Sequence, residues 1–227
     1  MKYKQISRQM IILFVIGGIG IVFAGGWLYT EYQKSQAGVA QGILTGIPCA
    51  PPCWQNITPG DSIETDAITS LLETLPGVFD YRVRGGMIDW SWQWYRSNIY
   101  ENSIYLNKQV VESITLKVDT KLTVEQILDK YGFPEATDIT LAGLPEHQYV
   151  LVRLFYPLQG VTFAVRLSKQ RPLLKPTTQI FEIQYTIPAE SLASWKTSVA
   201  DWLPEHNLWP GYGDLCDELE KNGFVCP

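Results

Sequence analysis

The stretch QYVLVRLFYPLQGVTFAVRL (Gln148–Leu167) predicts a pair of antiparallel strands joined by a short turn. Its two apolar runs are rich in valine and aromatic residues, which favour strands. Between them, Pro157-Leu158-Gln159-Gly160 has the composition of a four-residue hairpin turn. Further strands are predicted at Ile180–Ile187 and at Asp138–Leu141. This part of the chain is therefore expected to form an antiparallel sheet.

The same order of elements is predicted upstream. An amphipathic helix capped by Ser62 and running to about Leu75 precedes the first strands, and a helix capped by Thr123 precedes the later ones. A helix followed by an antiparallel meander therefore occurs twice. The upstream strands are expected at Val78–Val83, Met87–Arg96, Ser103–Leu106 and Val110–Val118, separated by turns rich in glycine and asparagine.

The predicted fold class is α+β, with an N-terminal single transmembrane helix followed by a duplicated helix–antiparallel-meander domain and a C-terminal helix. The first repeat spans about residues 57–118, and the second spans about 119–187. The C-terminal helix, from about Ala189 to Trp202, and a disulfide loop occupy residues 188–227.

The transmembrane helix is predicted at Met10–Tyr29, because these twenty residues carry no charge and match the thickness of a bilayer. Three basic residues precede it and would stay cytoplasmic: Lys2, Lys4 and Arg8. Residues 1–9 are then cytoplasmic, residues 30–56 form a tether, and residues 57–227 lie outside the cell membrane. A cleaved signal peptide, with Val22-Phe23-Ala24 before the cut, is the alternative. Both interpretations place the domain outside.

The charge balance argues against nucleic acid as a partner. The chain has 18 Lys and Arg, and removing the three N-terminal ones leaves 15 against 23 acidic residues, a net charge of −8. Nucleic acid requires a basic face, which an acidic domain of this kind does not offer. The lipid bilayer, contacted through residues 10–29, and a protein of the cell envelope are the expected partners.

The four cysteines predict disulfides, because all of them follow the apolar run and an extracytoplasmic domain is oxidised. Local pairing joins Cys49 to Cys53 and Cys216 to Cys226, whereas the rival pairing ties the tether to the C-terminus. Cys49-x3-Cys53 also has zinc-like spacing, but the stiff Ala50-Pro51-Pro52 insert and the presence of only two histidines argue against it. No metal and no cofactor are predicted.

The segment IDWSWQWY (Ile88–Tyr95) offers the most conspicuous candidate site. Alternation along a strand places its tryptophans on one face and its polar residues on the other. The tryptophans form either the core beneath the first helix or a platform that stacks on sugars or grips a partner. The candidate binding residues are Trp90, Trp92 and Trp94 on one face, and Asp89, Ser91, Gln93 and Tyr95 on the other.

No catalytic residues are predicted. His147 lies in a turn and His206 follows a helix, so neither stands beside a nucleophile. A carboxylate pair such as Asp89 with Glu112 could act on glycosides, but any acidic domain offers such pairs.

Two short motifs carry a resemblance. Pro51-Pro52-Cys53-Trp54 followed by Ile57-Thr58-Pro59-Gly60, and the later Trp209–Leu215 (WPGYGDL), resemble uncharacterised bacterial envelope proteins, many of them lipoproteins. This chain departs from the lipoprotein pattern, because Thr45-Gly46-Ile47-Pro48 is not a lipobox. The order of elements resembles the tandem helix-plus-sheet modules of β-lactamase-inhibitor-protein-like and outer-membrane-assembly-lipoprotein-like folds, which implies binding to other proteins without chemistry.

The expected function is therefore a non-enzymatic protein-binding or envelope-assembly module, held at the membrane. The alternative is a domain that binds carbohydrate or a small ligand through the tryptophan face. A hydrolase would require a cleft that joins a histidine to paired carboxylates.

Overall fold

The computed structural model describes residues 26, 42–74, 78–92, 102–118, 121–200, 208–221 and 223–224. Within these ranges the α-helices are α1 (Glu64–Thr74), α2 (Val124–Tyr131), α3 (Leu192–Val199) and α4 (Cys216–Lys221), with a 3-10 turn at Pro145–His147. The strands are β1 (Val78–Arg84), β2 (Met87–Trp92), β3 (Asn102–Asn107), β4 (Val110–Lys117), β5 (Ala136–Ala142), β6 (Tyr149–Tyr156), β7 (Val161–Ser168), β8 (Leu173–Leu174), β9 (Ile180–Thr186) and β10 (Gly213–Asp214). The predicted α+β class is confirmed.

Eight of the strands form one antiparallel sheet in the order β1-β2-β3-β4-β9-β7-β6-β5. The strands from the first and second halves of the chain meet where β4 pairs with β9, with Thr115 opposite Gln184. The two short strands β8 and β10 pair only with each other in the described chain. This small ladder was not predicted, because two residues are too few to show a period.

The turn between β6 and β7 is held against β9. Gly160 adopts φ +62, which favours glycine, and a Cβ at this position would collide with the Thr186 carbonyl. The Thr186 N–H donates to the Gly160 carbonyl at 2.9 Å. The predicted Pro157–Gly160 turn therefore needs its glycine both for the backbone conformation and for the close approach of the neighbouring strand.

The main core lies on one face of the sheet. Side chains that alternate along the central strands are fully buried there, among them Ile88, Ile104 and Ile114. Helices α1 and α2 pack on this face through their apolar stripes, which join the same cluster of buried residues. Helix α2 begins at the predicted cap, because the Thr123 and Gln126 side chains and backbones satisfy each other in a capping box. We call this side of the sheet the core face and the opposite side the outer face.

The predicted tether, residues 30–56, includes residues that belong to the packed domain. Residues 42–45 are helical, and the Ile43 side chain is 1 % exposed within the core cluster. The Tyr131 hydroxyl on α2 donates to the Ile43 carbonyl at 2.9 Å. The packed domain therefore includes residues from 42 onward, not only those after residue 56. The sequence did not indicate this, because the segment around Ile43 is polar and rich in small residues. The burial of Ile43 depends on helix α2, almost ninety residues further along the chain.

Some predicted features lie outside the described residues. They include Gln93, Trp94, Tyr95, His206, Cys226 and, apart from Gly26, the segment Met10–Tyr29. Among the helices that the structure describes, none is both long and apolar enough to cross a membrane. The transmembrane helix at Met10–Tyr29 stays a prediction.

Candidate functional site

Trp90 belongs to the core and not to an exposed platform. Its side chain is 0 % exposed and stacks on Trp54, with ring centroids 5.6 Å apart and an interplanar angle of 22°. Trp54 is carried by a tight loop in which its backbone N–H and carbonyl both pair with Ile57. Trp90 is therefore unavailable for stacking on a ligand. The sequence left core and platform open, because a period of two defines two faces without saying which one is covered.

The residues directly before Trp54 form a short loop that is closed by a disulfide between Cys49 and Cys53, as the local pairing predicted. The Cys53 N–H also donates to the Ala50 carbonyl at 3.0 Å. Cys216 is disulfide-bonded as well, while Cys226 lies outside the described residues. In the part of the chain that the structure describes, no group of three His, Cys, Asp or Glu residues is placed to hold a metal ion.

Replacing both Cys49 and Cys53 with serine is expected to lower the free energy of unfolding by about 2 kcal/mol, because so short a loop constrains the unfolded chain modestly. Urea unfolding followed by circular dichroism measures the change. Ala50→Ser within the same loop is the matched control, since Ala50 is exposed. An unchanged urea midpoint for the double serine variant would contradict the expectation.

Asp89 is the one predicted outer-face residue whose side chain the structure describes. It is only 5 % exposed, and Arg84 Nη2 lies 3.4 Å from its Oδ2. The carboxylate is therefore buried beside a cation and not presented to solvent. Glu112, which the sequence offered as a second carboxylate, is exposed on β4.

The centre of the outer face carries a row of uncharged polar side chains. Ser103, Thr115, Gln184 and Thr162 are register partners across β3, β4, β9 and β7, and each is partly exposed. We call these four residues the polar row. They come from distant parts of the chain and are aligned only because β9 inserts between β4 and β7. Alternation along each strand indicates that they face outward, but nothing in the sequence places them side by side.

An exposed aromatic residue borders the polar row on one side. Tyr105 follows Ser103 on the same face of β3 and is 45 % exposed. A tyrosine offers a large, rigid contact area and one hydrogen-bonding group, so it suits a contact surface.

Charged pairs border the polar row on the other side. Lys117 pairs with Glu182, and Arg153 Nη1 lies 2.5 Å from Asp138 Oδ2. Lys117 also stands over the Phe181 ring, with its Nζ 4.9 Å from the centroid. The charges next to the polar row are thus matched by opposite charges or rings.

Helix α3 covers one end of the outer face. The ring centroids of Trp195 on α3 and Phe155 on β6 lie 5.4 Å apart, and Val199 packs with Phe155 and Ala136 in a small separate cluster. Phe155 is the register partner of Thr162, so it belongs to the outer face. Helix α3 therefore packs on the side opposite to α1 and α2, over β5 and β6. The polar row on the neighbouring strands stays partly exposed.

The histidines give no support to hydrolytic chemistry within the described residues. His147 lies exposed in the 3-10 turn between β5 and β6, and its N–H makes the turn hydrogen bond to the Leu144 carbonyl.

The geometry of the described chain is that of a sheet with one buried face and, beside α3, one open polar face. Comparison with known proteins finds no matching family model, no matching curated protein and no matching solved structure.

Proposed function

We propose that this protein is a membrane-anchored, extracytoplasmic module that binds another protein of the cell envelope and carries out no chemistry. Its contact surface is the open part of the outer face, formed by the polar row and Tyr105. The observation that carries the proposal is the asymmetry of the sheet. One face is closed by α1 and α2, while the other presents neutral polar groups and a tyrosine in the middle of a wide sheet.

The composition of this surface suits a protein partner. Interfaces between proteins are enriched in tyrosine and arginine and depleted of unpaired charge at their centres. The polar row offers hydroxyl and amide groups without net charge, and Lys117 and Glu182 neutralise each other beside it. A partner can therefore cover the row without burying an unpaired charge, which is costly.

The anchoring and the compartment rest on the sequence. Met10–Tyr29 and the basic residues before it predict a helix whose following domain lies outside the cell. The disulfides at Cys49–Cys53 and at Cys216 support an oxidising compartment.

The plan of the domain supports a duplicated binding module. A helix followed by antiparallel strands occurs twice in the element order, first from α1 to β4 and then from α2 to β9. The resemblance to tandem helix-plus-sheet modules that bind other proteins favours the same interpretation.

Tyr105→Ala combined with Gln184→Ala is expected to weaken partner binding by about 30-fold, since two interface residues that contribute about 1 kcal/mol each sum to about 2 kcal/mol. The partner is first captured by a photo-crosslinking residue at Thr115 in intact membranes, and its affinity is then measured with purified proteins.

Leu144 provides the matched controls, a photo-crosslinking residue at this position and the Leu144→Ala variant, because Leu144 is 65 % exposed in the turn between β5 and β6. Equal crosslinking from positions 115 and 144, or an affinity that the double variant leaves unchanged, would argue against the outer face as the contact surface.

A further inference from the structure

A cluster of exposed apolar side chains lies at another site on the domain. Phe133 is 72 % exposed, Leu208 is 84 % exposed and Tyr212 is 43 % exposed. Trp209, which follows Leu208 in the chain, links Phe133 to Tyr212, since its ring centroid lies 6.5 Å from that of Phe133 and 5.6 Å from that of Tyr212. We call these four residues the aromatic patch. Exposed apolar clusters of this kind mark surfaces that contact another phase or partner.

The aromatic patch is held rigidly by the core beneath it. Trp209 packs against the main core cluster, and the Thr137 hydroxyl on β5 donates to the Leu208 carbonyl at 3.1 Å. Phe133 follows directly after α2, whose last turn is fixed by contacts of Tyr131 with Tyr156 and Phe163. The exposed rings are therefore held in place by the packed core, so little conformational entropy is lost when a membrane or a partner covers them.

The N-terminal part of the chain joins the domain beside this patch. The Tyr131 hydroxyl binds the Ile43 carbonyl, and Phe133 is two residues further along the chain. The predicted membrane helix ends at Tyr29, and residues 30–41 span at most about 40 Å even when fully extended. The domain therefore stays within about 40 Å of the bilayer, which is near enough for the patch to reach the lipid interface.

We infer that the aromatic patch rests on the lipid interface of the membrane that anchors the chain, and so orients the domain. This inference depends on the anchoring part of the proposed function. Tryptophan and tyrosine concentrate at membrane–water interfaces, where an apolar ring and a polar group are both accommodated. When the patch contacts the lipid interface, the polar row lies on a different surface and stays accessible to a protein partner.

The contact is apolar and not electrostatic. Helix α2 places Glu125 and Asp129 near the patch, and after burial these two carboxylates are what raise the pKa of the Tyr212 hydroxyl. An acidic surrounding gives no attraction to anionic lipid. The lipid that tests the inference is therefore zwitterionic phosphatidylcholine, and the contact should persist at high ionic strength.

The test uses the full chain in phosphatidylcholine vesicles whose acyl chains carry bromine, which quenches tryptophan fluorescence on contact. The chain has eight tryptophans, so the quenching of one tryptophan is obtained as the difference between the original chain and the variant in which that tryptophan is replaced by phenylalanine. Trp209→Phe reports on the patch, and Trp27→Phe reports on the predicted membrane helix. We expect both to lower the quenched fraction of the emission.

Phe133→Ser combined with Leu208→Ser should abolish the quenching of Trp209, whereas Leu144→Ser, another exposed apolar residue, should leave it intact. Circular dichroism confirms that the variants are folded. If Trp27 is quenched and Trp209 is not, the patch does not contact lipid and the inference fails while the anchor stands. If neither is quenched, the anchor fails as well. Quenching of Trp209 that disappears at high salt also overturns the inference.

Discussion

Replacing Trp54 with alanine is expected to lower the free energy of unfolding by about 3–5 kcal/mol, although Trp54 lies outside every regular strand and helix. Its side chain is 4 % exposed and covers Trp90, which is 0 % exposed on the core face of β2. Removing the indole would leave a cavity beside Trp90, and the Cys49–Cys53 disulfide directly before Trp54 limits how far the chain there can collapse into it. Urea unfolding followed by far-UV circular dichroism measures the loss.

Trp90→Ala should cost a similar amount, and the double variant should cost less than the two losses added together, because the rings contact each other. The stacking itself accounts for about 0.5–1.5 kcal/mol of that difference. Trp195→Ala is the control, since Trp195 is only partly buried in the small outer-face cluster. If alanine variants fail to fold, Trp54→Phe and Trp90→Phe give the same comparison at lower cost. Strictly additive losses would contradict the stacked pair.

Raising the pH above 10 is expected to destabilise the domain steeply. Burial raises the pKa of Tyr131 to about 12 and raises the pKa values of Tyr156 and Tyr185 further. In the unfolded chain these hydroxyls lose their protons near pH 10, whereas the folded domain retains them. The stabilisation is therefore complete below pH 10 and is lost as the pH rises through 12. Each tyrosine lowers the free energy of unfolding by up to about 1.4 kcal/mol per pH unit, and all three together lower it by up to about 4 kcal/mol per pH unit.

The measurement is a titration of phenolate absorbance alongside urea unfolding at each pH. Tyr185→Phe should reduce the slope by about one third with little loss of stability at neutral pH, because the ring stays in place. The same titration in concentrated urea provides the reference, since all tyrosines are then exposed. A folded domain in which Tyr156 and Tyr185 ionise together with the exposed tyrosines would contradict the expectation.

Local sequence was sufficient for the individual elements. The hairpin of β6 and β7 was predicted at Gln148–Tyr156 and Val161–Leu167 and lies at Tyr149–Tyr156 and Val161–Ser168. Helix α2 starts at its predicted Thr123 cap and ends at Gly132, as predicted. Such features depend on contacts within a few residues, which composition and period record directly.

The site depended on contacts between distant residues. Ser103, Thr115, Gln184 and Thr162 became neighbours only through the insertion of β9 between β4 and β7. The apolar face of α3 was evident from its spacing, but a spacing does not say on which side of a sheet the helix packs. The proposed contact surface is what α3 leaves uncovered, so it could not be derived from any single segment.

The sequence by itself determined the α+β class, most element boundaries and the two sides of the strand around Trp90, whereas it left the local pairing of Cys49 with Cys53 as one of two alternatives. Those properties follow from covalent neighbours and from the alternation of side chains along a strand. Only the tertiary structure decided that Trp90 faces Trp54 in the core, that Ile43 belongs to the domain, and that the polar row lies on the open face. Burial is decided by the element that packs on top, and that element lies elsewhere in the chain.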